Sequence, residues 1–298
     1  MSSTVVAAGS GIPSGPSDRQ NPRRASRLIR KMRGGAQAHL VEAESGENYV
    51  LKSSNNPQHR RILTNEWLSC AILRYLQIFV PDTALIELTP EFIRDNPELY
   101  ISTGSKRKAI PPGIHFGSRL YVNPDRAAIF DFVPDGILTK LQNRRDFLGT
   151  LVFDKWVGNA DSRQAVFFRT RTDRAPKAGL FAQMIDHGFA FNGPHWTFCD
   201  SPLHGTYFRT SVYDEIRSLD SFQPWLDIVE HFPVEVIERA LKEIPPDWLQ
   251  GDEHELEAML EKLIIRRSRV CALINEIRHN RPPVFANWKL SNHTSLSR

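Results

Sequence analysis

The chain has 298 residues, 41% of them hydrophobic, enough to bury a full core in one large domain or two lobes. A formal net charge of +4 excludes a strongly acidic or polybasic protein, and no stretch approaches the ~18 apolar residues of a membrane span. Three cysteines without CxxC spacing exclude a disulfide framework and a zinc knuckle, which implies a reducing, cytoplasmic setting.

Residues 1–26 read as a disordered tail rich in Ser, Gly, Pro and Arg. The Arg-rich run "RQNPRRASRLIRKMR" then reads as a solvated arm, with nucleic acid an unlikely partner. "AHLVEAESGENYVLK" alternates on both sides of Ser45-Gly46, as a β-hairpin does, and puts Val50 and Lys52 on one face of its second strand. In "NNPQHRRILTNEWLSCAILRYL" Asn56 reads as an N-cap, Pro57 as the first helical residue, and Glu66 as the edge of an apolar stripe. From Phe79 to Pro134 short apolar runs broken by Pro and Gly suggest sheet and loops.

A helix is expected over "NRRDFLGTLVFDKWVGN", with Asn143 as its cap and closure on Gly158 and Asn159. Asp161 then occupies the corner before two strands, "QAVFFR" and "LFAQMID". Beyond residue 210 the pattern is helical, and "ELEAMLEKLIIRRSRVCALINEI" reads as one long helix whose arginines cover its polar face. The organisation expected is a tail at 1–26, an N-terminal nucleotide-binding lobe at 27–134, a mainly helical catalytic lobe at 135–280 and a tail at 281–298.

Phosphoryl transfer needs the parts that occur here in order. Small residues at Gly34, Gly35 and Ala36, with Gln37 after them, let backbone N–H groups approach phosphates. Lys52 supplies positive charge, and Glu66 holds it in place. Asp186, at the end of a strand in "IDHGFAF", would chelate the metal, while Asp161 would orient or accept the proton of an incoming hydroxyl.

The stretches "RKMRGGAQAHLVEAESGENYVLKSSNNPQHRRILTNEW", "FDKWVGNADSRQAVFFR" and "MIDHGFAF" together resemble the HipA-like kinase family, in order over roughly residues 28 to 275. The resemblance implies an α+β, two-lobed protein-kinase-like fold that uses ATP and Mg2+ to phosphorylate serine or threonine. By position it makes Lys52 the nucleotide lysine, Asp161 the catalytic aspartate, Asp186 the metal aspartate and Glu66 the helix partner of the lysine. Such kinases place a metal-binding asparagine five residues after the catalytic aspartate, where this chain has Val166, and a histidine two residues after it, where this chain has Arg163. Gln164 is the substitute metal ligand, and the charge of Arg163 is expected to contact a phosphate.

A nucleotide-binding pseudokinase acting as a regulatory module is the alternative that these departures leave open. His195, Cys199 and His204 lack a fourth ligand and lie where a kinase activation loop would run, so no metal site is expected of them. Neither the protein substrate nor a regulatory partner is named by any motif, and no membrane partner is expected.

Overall fold

The computed structural model describes residues 21–120, 128–172 and 175–289. Its first half is built on a closed five-stranded barrel, in the order β1 (Arg23–Lys31), β2 (His39–Ala43), β3 (Asn48–Lys52), β7 (Gly113–Leu120) and β4 (Thr83–Leu88). All neighbours run antiparallel except β1 and β4, whose parallel seam closes the barrel. The expected hairpin is β2–β3, paired from His39↔Leu51 to Glu42↔Asn48. Its alternation sends Val41, Ala43, Tyr49 and Leu51 into the barrel core beside Ala84, Ile86 and Leu88. Between β4 and β7 come a short helix, α2 (Pro90–Asp95), which Thr89 caps by accepting the Phe92 N–H, and a two-stranded ribbon of β5 (Tyr100–Thr103) and β6 (Lys106–Ala109).

The tail expected at 1–26 is corrected here, because the barrel begins at Arg23. The arginines of this strand are outward members of a β alternation and not a solvated arm. Arg23, Arg24 and Arg27 pair with Glu47, Glu87 and Glu42, while Ala25 is buried in the core and Leu28 packs against it. The expected tail at 281–298 is corrected in part. A 3-10 turn at Pro282–Phe285 buries Phe285 against Phe222, and Trp288 packs on the same core. The remaining residues of both expected tails lie outside the described ones.

α1 (Arg61–Tyr75) starts later than Asn56 and Pro57 suggest. Asn56 accepts the Gln58 N–H with its side chain and closes a turn, and His59 at φ 115° interrupts the chain before the helix. The helix shows no apolar stripe, because every residue from Ile62 to Cys70 is buried. Trp67 bonds the carbonyl of Ala240 in α6 (Val234–Glu243) on one side, while Lys52 of the barrel reaches Glu66 on another.

After the turn of α3 (Asp135–Leu138), α4 (Asp146–Val157) runs through the centre of the larger core, with everything from Phe147 to Val157 buried. Asn143 is not its cap. Its side chain holds the Asp146 carboxylate and both backbone groups of Ala182, fixing the helix start to a strand. That strand belongs to the hairpin of β8 (Gln164–Thr172) and β9 (Ala175–Ile185). Shorter helices α5 (Trp225–Glu230) and α7 (Pro246–Leu249) complete the layer around α1 and α4.

The single long helix expected near the end is two, α8 (Glu253–Ile265) and α9 (Val270–Asn280), joined by a 3-10 turn at Arg266–Arg269. Arg266 does not cover a polar face. It turns inward, is buried, and donates to the carbonyls of Lys155 and Trp156 at the C-terminal end of α4. Those carbonyls have no partner within their own helix, and a cation there also suits the helix dipole.

Candidate active site

The site forms where β3, α1 and the β8–β9 hairpin meet. β3 ends on Lys52, whose ammonium is bound by Glu66 of α1 and by Asp186 Oδ1 at 2.8 Å. Three residues far apart in sequence are thus brought together as an ion-paired triad. Burial penalises the Lys52 ammonium, but Glu66 and then Asp186 more than offset this, so its pKa is raised and it stays charged. Asp186 moves the other way, its carboxyl held below the usual range chiefly by Lys52. Its side chain keeps 34% exposure against 10% for Lys52 and 4% for Glu66, so the triad opens to solvent through the aspartate.

Asp186 sits at φ 58°, a left-handed conformation that costs about 1–3 kcal/mol outside glycine and gathers at functional sites. The neighbouring contacts hold it there. Glu66 accepts the His187 N–H at 3.1 Å, and Gly188 lies so close to α1 that a Cβ would meet Ile62 Cγ2 at 2.6 Å. Asn65, buried one position before Glu66, donates to the carbonyls of Gly188, Ala190 and Gly193 and accepts from the Trp196 indole. One face of α1 therefore shapes the segment after Asp186.

The corner at Asp161 is built with equal care. α4 ends on Gly158, left-handed at φ 58°, where glycine avoids the Cβ clash. Asn159 is buried, donates to Asp154 at 3.0 Å and accepts the Asp161 N–H at 3.1 Å. Asp161 is exposed, with Oδ1 accepting the Ser162 N–H and its carbonyl accepting the Gly205 N–H. Ala160 N–H bonds Phe189 O and Asn192 N–H bonds Gly158 O, so this loop is stitched to the segment following Asp186.

Arg163 does not face a phosphate. Its side chain is 1% exposed and forms a two-point ion pair with Asp154, while NH1 donates to Ile185 O at 3.0 Å and to His187 Nδ1 at 2.9 Å. The expected contact is replaced by a brace between α4 and the strand end that carries Asp186. Burial drives the His187 pKa well down, so this ring stays neutral and accepts the arginine proton.

Gln164 is exposed and hydrogen-bonds the Asp186 carboxylate from the next strand. Val166, where an asparagine is expected in such sites, is an ordinary β8 residue opposite Gln183. A carboxylate and a neighbouring amide oxygen are hard donors, a set that fits a divalent cation completed by waters and phosphate oxygens.

Gly34, Gly35 and Ala36 form the turn between β1 and β2, with Gly34 at φ 120° and the Gln37 N–H closing on Gly34 O at 3.1 Å. Gln37 is committed elsewhere through its side chain. It bonds both backbone groups of Ser102 in β5 and accepts from Lys31, bracing the loop against the β5–β6 ribbon.

His195, Cys199 and His204 do not come together. Among the described residues the groups close enough to share an ion are Glu66, Cys70 and His187, all buried, of which Glu66 is already held by Lys52 and His187 by Arg163. Asn65, Asp154 and Asn159 are site residues that pattern reading passes over. Their signal was polarity inside segments that are otherwise buried throughout.

The HipA-like kinase family model matches residues 26–271, most of the chain and all of this site. The protein belongs to the HipA-like kinase family. It is accordingly kinase-like, of the phosphotransferase type. Two solved structures are similar: a Golgi casein kinase with Mn/ADP bound, at TM-score 0.50, and a Golgi casein kinase, at TM-score 0.49, each 12% identical over 88% of this chain and 75% of that one. At that identity the first shares the protein-kinase-like fold and nothing narrower. No curated protein matches the chain by sequence.

Proposed function

We propose that this HipA-like kinase is a two-lobed, ATP-dependent serine/threonine protein kinase of the cytoplasm. The observation that carries the reading is the Lys52 ammonium shared between buried Glu66 and the more open Asp186, beside a stitched loop that offers Asp161 to solvent. Lys52 keeps its charge and directs it at the phosphates of ATP, and the Gly34–Ala36 turn offers backbone N–H groups to them. Asp186 and Gln164 would hold Mg2+, which when bound offsets the charge of the phosphates. The Asp161 carboxylate orients the hydroxyl of a protein serine or threonine and takes its proton as that oxygen bonds the γ-phosphorus and the bond to ADP breaks. Three free cysteines fit a reducing compartment, and among the described residues no helix is long and apolar enough to cross a membrane.

A second reading, a nucleotide-binding pseudokinase with a regulatory partner, draws on Val166, which offers no ligand atom where an asparagine would. Incubation with γ-labelled ATP and Mg2+, followed by mass spectrometry, separates the two. The kinase reading expects label on protein hydroxyls, lost in Asp161→Asn while nucleotide binding is kept, and lost together with metal-dependent binding in Asp186→Asn. Binding without transfer, or transfer indifferent to Asp161→Asn, leaves only the pseudokinase; adenylate on the protein would redirect the reaction class.

A further inference from the structure

A cleft of about 410 Å³ lies apart from the Lys52 triad, lined by Thr197, Phe198, Lys262, Ile265, Arg266 and Arg269. It abuts the catalytic corner from behind, because Phe198 packs so closely on Gly158 that a Cβ there would meet its ring at 2.9 Å. The Arg266 guanidinium stacks over the Phe198 ring at 4.4 Å and pairs with Asp200 at 2.6 Å. Arg269, across the 3-10 turn, reaches the other oxygen of the same carboxylate at 3.1 Å. Lys262 is exposed and forms no ion pair among the described residues.

Three cations thus meet one carboxylate, leaving a surplus of two positive charges around a cleft whose wall holds an exposed threonine. The Thr197 hydroxyl is weakly engaged, accepting a single long hydrogen bond of 3.4 Å from Asn192. A phosphomonoester carries about −1.5 to −2 charges and three acceptor oxygens, which matches that surplus in sign and size. Arginine and lysine donors suit it in geometry as well.

We propose that Thr197 is a phosphorylation site and that this cleft receives its phosphoryl group, with Lys262 and Arg269 as donors and Arg266 as the fixed floor. The group comes from a nucleoside triphosphate by the action of a protein kinase. The threonine oxygen bonds the γ-phosphorus, the bond to the bridging oxygen of the leaving diphosphate breaks, and the hydroxyl proton passes to that kinase's base. Whether this chain is that kinase does not enter the inference. The downstream end of the segment is already clamped, by Lys155 to the carbonyls of Ser201 at 2.9 Å and His204 at 2.5 Å, and by the Gly205 N–H to Asp161 O at 2.8 Å. A phosphate at Thr197 clamps its upstream end and fixes the segment that backs the Asp161 loop.

The test uses the full chain carrying phosphothreonine at position 197, introduced by genetic code expansion, beside the unmodified chain. Thermal scans are expected to show a rise in Tm of about 2–4 °C on phosphorylation. The rise should vanish in the double variant Lys262→Ala/Arg269→Ala, which alters exposed side chains only and whose unmodified form serves as its control. An unchanged or lower Tm on phosphorylation, or a rise that survives in the double variant, overturns the proposal. Neither outcome depends on catalysis by this chain, so failure here is distinct from failure of the kinase reading.

Discussion

At the residue scale, polar side chains placed inside apolar surroundings carry most of the site. Arg163 is the instructive one. Its position in the sequence suggests a phosphate contact, and its surroundings give it Asp154, Ile185 and His187 in place of a ligand. Breaking a buried ion pair from one side leaves an uncompensated charge and costs about 3–5 kcal/mol. Arg163→Met is therefore expected to lower the urea unfolding midpoint by an amount in that range. A residue serving only to bind phosphate would leave the midpoint alone and raise the KM for ATP. The triad differs from this pair because Asp186 stays partly open, so its arrangement serves a ligand as well as the fold.

At the element scale, β1 and β7 decide how the barrel behaves. β1 closes it through Arg23↔Ile86 and Arg24↔Glu87, with Ala25 buried behind them. Deleting residues 1–26 should open that seam and expose the edges of β2 and β4, lowering Tm by several degrees or causing aggregation. A chain unaffected by that deletion would show the seam to be dispensable.

On β7, His115 accepts the Ser54 N–H at 2.9 Å and is completely buried, which lowers its pKa to about 4. The unfolded chain, at about 6.5, then binds the extra proton first on acidification, so stability is full above pH ~6.5 and falls as pH drops toward 4. The loss attributable to this ring is on the order of 3 kcal/mol. His115→Gln should flatten the fall in Tm between pH 6.5 and 4. His39, lowered to about 4 by burial and by Lys31, remains in that variant and keeps part of the slope.

At the scale of the whole molecule, Lys52, Glu66 and Asp186 join the barrel, α1 and the end of β9, and Trp248 of α7 ties its indole to Ile114 of β7. A ligand that engages the triad therefore stabilises elements from both halves of the chain. ATP with Mg2+ at a hundredfold excess over its Kd should add about 2.7 kcal/mol and raise Tm by several degrees. Lys52→Ala should remove most of that shift. A wild-type chain whose Tm is unmoved by millimolar nucleotide and metal would count against both the kinase and the pseudokinase readings.

Local chemistry was enough to read the β2–β3 hairpin, the closure of α4 on Gly158, the β8–β9 hairpin and the order of Lys52, Glu66, Asp161 and Asp186. Each rests on alternation, a turn residue or spacing along the chain, all short-range properties. Contacts between distant segments were not legible in that way. The Arg-rich run became a barrel strand because β4 and the glutamates of β2 and β3 lie beside it. The last helix divided because α4 presents unpaired carbonyls to Arg266. Arg163 turned inward because Asp154, on a helix with no polar face, needed a partner there. Burying a charge or a bare carbonyl is costly until a partner arrives from elsewhere in the chain, and which partner arrives is set by the packing of elements against one another.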